Sequence, residues 1–128
     1  MISACETEDG VVFDMSELEA DALRSYADGL VADPKHPFVE LLRSQGLVVG
    51  DTPVPHLAVL LEAFSQATKV LTAWVVAPAG CRRVTFFVGP RSAVVSRCDE
   101  GGLYAGEDDL LSVWAIDSAQ LRETFFEL

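Results

Sequence analysis

The chain has 128 residues and half of them are apolar, enough for one domain with its own core and no need of disulfides or metal. Its formal net charge of −11 is the reverse of the basic footprint that nucleic-acid binding requires, so no nucleic-acid partner is expected. No apolar run reaches the ~20 residues of a membrane span, and the stretch to Asp9 holds Glu6, Glu8 and Asp9 without a cation, unlike a secretory signal. A cytoplasmic protein without a membrane partner is expected.

Residues 1–33 carry nine acids against Arg24 alone. Such a face either keeps the protein soluble or receives a basic partner. The first nine residues read as a disordered acidic tail on a single domain spanning 1–128. Gly10-Val11-Val12-Phe13 is a short strand candidate. Ser16 with Glu19 three residues on is a capping-box signature, and Leu18, Ala22, Tyr26 and Leu30 continue at helical spacing with Leu23 beside them. Asp28-Gly29 supplies the stop. Pro37 suits the first position of a second helix with Phe38, Leu41 and Leu42 inward, and Gly46 ends it. A third helix runs from Pro53 to Ala67 with Leu57, Leu60, Leu61 and Phe64 as its buried stripe.

Beyond Ala67 the pattern turns to β. Val70–Ala77, Val84–Val88 and Ala93–Cys98 read as strands, with a hairpin turn at Gly89-Pro90-Arg91-Ser92 that sets Cys98 opposite position 83. Leu103–Ala105 is a further short strand candidate, and Leu110–Ile116 fits strand or helix. Asp117 with Gln120 caps a last helix facing inward through Leu121, Phe125 and Leu128. The predicted class is α+β: three helices, then an antiparallel meander, then a C-terminal helix, with the helices on one sheet face.

The chemistry-bearing residues are sparse. His36 sits in a Pro-rich turn and His56 at a helix start, so each reads as a surface or capping residue, with no nucleophile assigned to either. Cys5, Cys81 and Cys98 are odd in number, lack a CxxC pair and are scattered from the histidines, which argues for reduced thiols and no zinc site. The acidic turns Asp99-Glu100 and Glu107-Asp108-Asp109 lack the ligand spacing of a calcium loop, and no phosphate-cradling glycine motif exists. No cofactor, metal or catalytic residue is expected. A winged-helix reader of DNA is disfavoured because the third helix has Glu62 as its one charged side chain.

What remains is protein binding. Trp74, Phe86 and Val95 on the sheet are the candidate anchors, with Arg82 and Arg83 of the basic cluster beside them and Phe125 on the apolar carboxyl end. Arg82, Arg83, Arg91 and Arg97 either clamp an acidic group or are solvated edge charges. Glu40-Leu41-Leu42-Arg43-Ser44-Gln45-Gly46-Leu47-Val48, the Pro53–Phe64 helix, the Val70–Val76 strand, the hairpin with Ala93-Val94-Val95 and the closing helix resemble one half of the EspG-like chaperones of type VII (ESX) secretion. The resemblance covers 38–128 and implies a non-enzymatic chaperone or adaptor that keeps a secreted helical protein soluble. The chain has about half the family's length, which prompts the expectation of a homodimer. The competing readings are an acidic inhibitor or immunity protein for a basic enzyme, and a small enzyme of unknown reaction.

Overall fold

The structure is a computed structural model that describes residues 2–8, 10–29, 36–78, 80–98 and 110–126, with the backbone alone at 77, 80 and 81. Two strands open the chain, β1 (Ser3–Thr7) and β2 (Gly10–Ser16). The segment expected as a tail therefore holds a strand: Ala4 pairs with Phe13 and Glu6 with Val11. Gly10 lies at φ 133°, in the region open to glycine, where the chain reverses between them.

Helix α1 (Glu17–Ala27) starts where the capping box places it. The Glu19 backbone N–H donates to Ser16 Oγ at 3.2 Å, and the Ser16 N–H donates to Glu19 Oε1 at 3.0 Å. Burial alone would raise the Glu19 carboxyl, but hydrogen bonds, that from the Ser16 backbone first among them, hold it below the ordinary 4.5. Leu23 is fully buried and Ala22 and Tyr26 of the four-residue series pack against the same core, whereas Leu18 at its start is exposed. Its Leu30 lies outside the described residues.

Helix α2 (Pro37–Ser44) has Pro37 in its first turn and His36 as its cap, with Nδ1 accepting from the Phe38 N–H at 3.1 Å. It ends in a complete Schellman motif. Leu47 N–H donates to Leu42 O at 2.9 Å and Gly46 N–H to Arg43 O at 3.1 Å, with Gly46 at φ 74°. Phe38, Val39 and Leu42 point inward; Leu41, expected inward, is partly exposed. A two-stranded ladder, β3 (Val48–Val49) with β4 (Thr52–Pro53), then separates the second and third helices. Arg43 ties its turn down, donating to Gly50 O at 2.7 Å and to Asp51 at 3.0 Å.

Helix α3 (Pro55–Gln66) buries the predicted stripe of Leu57, Leu60, Leu61 and Phe64. The meander follows as β5 (Lys69–Ala77), β6 (Gly80–Val88), β7 (Ser92–Cys98) and β8 (Leu110–Asp117). Residues 110–116 are thus strand, and Arg83 pairs with Cys98 as the hairpin arithmetic requires. The Leu103–Ala105 candidate and both acidic turns lie outside the described residues. A 3₁₀ turn (Ser118–Gln120), in which the Asp117 N–H donates to Gln120 Oε1 at 3.2 Å, leads into α4 (Leu121–Phe126).

The class is α+β with an antiparallel sheet, but the expected order fails. The short strand expected at Gly10–Phe13 is present within β2, but β1 precedes it and the β3–β4 ladder interrupts the helices. The sheet runs β1-β2-β8-β7-β6-β5 because β8 turns away from solvent and pairs with β2, closing the meander onto the amino-terminal hairpin. The one-face expectation fails as well. Strand alternation sends Phe13, Met15, Val94, Cys98, Leu111 and Val113 toward α1, α2 and α3 in the main core. The opposite face gathers Val84, Phe86 and Val95 with Trp114 and Leu121, so α4 covers the other side. Apolar residues of β6 and β7 point both ways, and a one-sided cover would have left Phe86 in water; its burial contributes about 1.5–3 kcal/mol.

Candidate protein-binding edge

Both faces of the sheet are incompletely covered at its β5 end. On the helical face the amino end of α1 reaches across to β6, where Arg83 Nη2 meets Glu17 Oε2 at 2.7 Å. Arg24, one helical face further on, lies 4.8 Å above the Phe87 ring, and Phe64 of α3 meets the same ring edge-on at 5.3 Å. Between α1 and the outer strands remains a hollow of about 330 Å³ bordered by Asp21, Arg24, Thr72, Trp74 and Arg83. Thr72 and Thr85 share a hydrogen bond at 3.4 Å on its floor.

On the opposite face a cleft of about 740 Å³ opens between the outer strands and α4, bordered by Leu71, Phe86, Leu121, Phe125 and Phe126. Phe125 leans on Phe86 at 6.2 Å, and the Arg122 guanidinium stands 5.8 Å over the Phe126 ring. The short α4 therefore roofs only the inner part of the face.

Between hollow and cleft runs β5, the last strand of the sheet. Its inner side pairs with β6 along all nine residues, from Lys69 opposite Val88 to Ala77 opposite Gly80. Its outer side meets no strand among the described residues. Val70 and Trp74 are about half exposed on the helical face, Leu71 likewise on the other, and Val76 is 73% exposed. Together with Phe125 and Phe126 these form the concentration of exposed large apolar side chains on the protein. β5 and β6 also carry three cations, Lys69, Arg82 and Arg83, and no acid, within a chain of net charge −11.

The residues singled out from the sequence divide accordingly. Trp74 and Phe125 stand exposed at this end, on opposite faces. Phe86 and Val95 do not join them: both are core, 1% and 0% exposed. Neighbours in a strand alternate, so Arg83 projects to the helical face and Arg82 to the other, where Arg97 stands 5.8 Å over Trp114. The four arginines therefore form no single clamp. Phe126 belongs to the apolar carboxyl end already noted with Phe125, whereas Val70, Leu71 and Val76 are additions. Their signal was present: a strand apolar on both faces reads as central, yet the first strand of a meander is an edge unless a distant strand joins it.

Elsewhere the polar groups are structural. His36 caps α2, and His56 stacks on Phe13 with ring centroids 5.7 Å apart. Cys5 is exposed on β1 and Cys98 is buried. Among the described residues no three His, Cys, Asp or Glu side chains gather to hold a metal ion, and no helix is long and apolar enough to cross a membrane.

Fold and edge together define an α+β domain whose antiparallel sheet ends on an apolar strand with no neighbour on its outer side among the described residues. No family model, curated protein or solved structure matches the chain.

Proposed function

We propose that the protein is a non-enzymatic, cytoplasmic protein-binding domain, of the chaperone or adaptor kind, and that the β5 end of the sheet is its binding surface. The observation that carries this reading is the outer edge of β5, a nine-residue strand that meets no strand on that side among the described residues and is flanked by exposed Val70, Leu71, Trp74 and Val76. An unpaired strand offers a row of backbone donors and acceptors to an incoming chain, and the apolar side chains on either side add affinity and selectivity. Trp74 is the anchor best placed for this role, because large aromatic residues dominate binding energies at such surfaces.

Two features of the site support an apolar contact over an electrostatic one. Glu17 is paired with Arg83 and Glu19 is committed to the α1 cap, so part of the amino-terminal acidity is spent inside the fold. The edge itself bears no acid. A helical secreted client, as the chaperone resemblance implies, would lay its apolar stripe along Trp74 and Val70.

The test is affinity capture from the source cell at low and high salt, with wild type and Trp74→Lys compared. A stoichiometric partner that survives high salt and is lost with Trp74→Lys is the expected result. A basic partner released by salt and indifferent to Trp74→Lys would replace this reading with that of an acidic inhibitor.

A further inference from the structure

We infer that the edge is filled by a second copy of this chain, β5 pairing antiparallel with β5 to give one continuous twelve-stranded sheet; this rests on the reading of β5 as a binding surface. What pairs with the backbone of the edge itself must supply a strand, since the outer side of β5 presents backbone groups at strand spacing, and the protein carries a matching one; the side-chain faces beside the seam stay open to a helical client. A two-fold axis perpendicular to the sheet reverses strand direction and keeps each face on its own side, so residues of like parity meet. Centring the axis on Ala73, the midpoint of Lys69–Ala77, pairs all nine residues. Val70 then lies opposite Val76 of the second copy, Leu71 opposite Val75, Thr72 opposite Trp74, and Ala73 opposite itself. Every facing pair in the middle of the strand is apolar or Thr–Trp, which suits cross-strand packing.

Charge selects the same register. Lys69 is the one charge on β5, and centring on Ala73 holds the two copies of it about 27 Å apart at opposite ends of the seam, well beyond the screening length in physiological salt. A shift toward the amino end would bring them together. The other free edge, β1, is a poorer occupant: five residues long, with Ser3, Cys5, Glu6 and Thr7 exposed, it would leave Leu71 or Val76 in water.

Area is consistent with a stable pair. Val70, Leu71, Trp74, Val76, Phe125 and Phe126 expose on the order of 700 Å² per copy, which is the most these side chains can bury, against the ~800 Å² that a specific interface takes from each partner. The two clefts beside α4 come to lie on one side of the seam and the two hollows beside α1 on the other, so the dimer would present paired pockets to any further client.

The experiment is the solution mass across the micromolar range, by sedimentation or light scattering, for wild type, Val76→Lys and Thr7→Lys. Wild type and Thr7→Lys should approach twice the 13.8 kDa of one chain, while Val76→Lys should need a concentration at least about tenfold higher. Val76 is 73% exposed, so its replacement leaves folding intact, which circular dichroism checks. In a background with Cys5 and Cys81 changed to serine, Ala73→Cys should oxidise to a covalent dimer, because directly opposite strand positions lie within disulfide reach. A dimer indifferent to Val76→Lys, or a growing assembly abolished by Thr7→Lys, overturns the proposed seam. A monomer at every concentration that still captures a different protein through Trp74 overturns the dimer and leaves the binding reading standing. A monomer with no capture dependent on β5 overturns both.

Discussion

The two ends of the sheet are built on opposite rules. At one end β1 is short, its side chains are small or polar, and residues 3–16 carry four acids and no cation. Brevity and charge are the usual protections of an exposed edge. At the other end β5 is nine residues long, apolar on both faces, and set in two strands with three cations and no acid. The acidity of the chain is therefore not a uniform coat: it guards one edge and leaves the other unprotected. The contrast is what supports the proposal that a partner strand adds at β5.

The comparison can be broken most severely at the boundary between core and edge. Phe86→Ala should cost about 3–5 kcal/mol in denaturant unfolding, as expected for a large buried aromatic. Trp74→Ala, one strand away, should cost no more than about 1 kcal/mol while removing partner binding. Equal losses would mean that the β5 end has no core of its own and that Trp74 is structural.

A smaller effect is expected at Gly89, which begins the turn joining β6 to β7. A Cβ there would stand 2.9 Å from Gln66 O and 3.1 Å from Ser92 O, both backbone atoms that cannot swing aside. Gly89→Ala should therefore destabilise by about 1–3 kcal/mol through local overpacking. A neutral outcome in the same unfolding assay would show that the end of α3 is free to move away from the outer strands.

The mildest test concerns the protected end, where the capping box joins β2 to α1. The folded Glu19 carboxyl lies below its ordinary 4.5, so the stability it contributes is present above that value and is lost as pH falls through the lower folded one. Glu19→Gln keeps an acceptor for the Ser16 N–H but cannot titrate. Its stability relative to wild type should improve as pH drops below about 4.5, and parallel pH curves for the two proteins would remove the cap from the account of acid sensitivity.

Local chemistry was legible in the residues themselves. Ser16 with Glu19, Pro37 at a first helical turn, Gly46 past a last one, and the Leu57–Phe64 stripe each act within a few residues through backbone hydrogen bonds or one helix face, and all stand where the pattern puts them. The hairpin register opposing Arg83 to Cys98 followed from turn length alone. Exposure did not follow. Leu18 and Leu41 are apolar at plausible helical spacing yet face outward, because which stripe is buried depends on how α1 and α2 dock.

The candidate site was half visible for the same reason. Trp74, Phe86 and Val95 are equally apolar strand residues, and nothing local distinguishes an edge from a centre. The distinction lies in which ends of the meander gain a distant neighbour: β8 does, through β2, where Ser112 Oγ donates to Asp14 Oδ1 at 3.0 Å across 98 residues of chain, and β5 meets none among the described residues. By pairing with β8 the amino-terminal hairpin closed the far side of the meander and left β5 as its one strand without a second neighbour among the described residues, while α4 covered Phe86 and Val95 on the two strands between. The sequence alone determined the caps, the third-helix stripe and the hairpin register; long-range strand pairing, whose energy depends on partners far along the chain, decided that Ser3–Thr7 and Leu110–Asp117 are strands and which strand meets the outside.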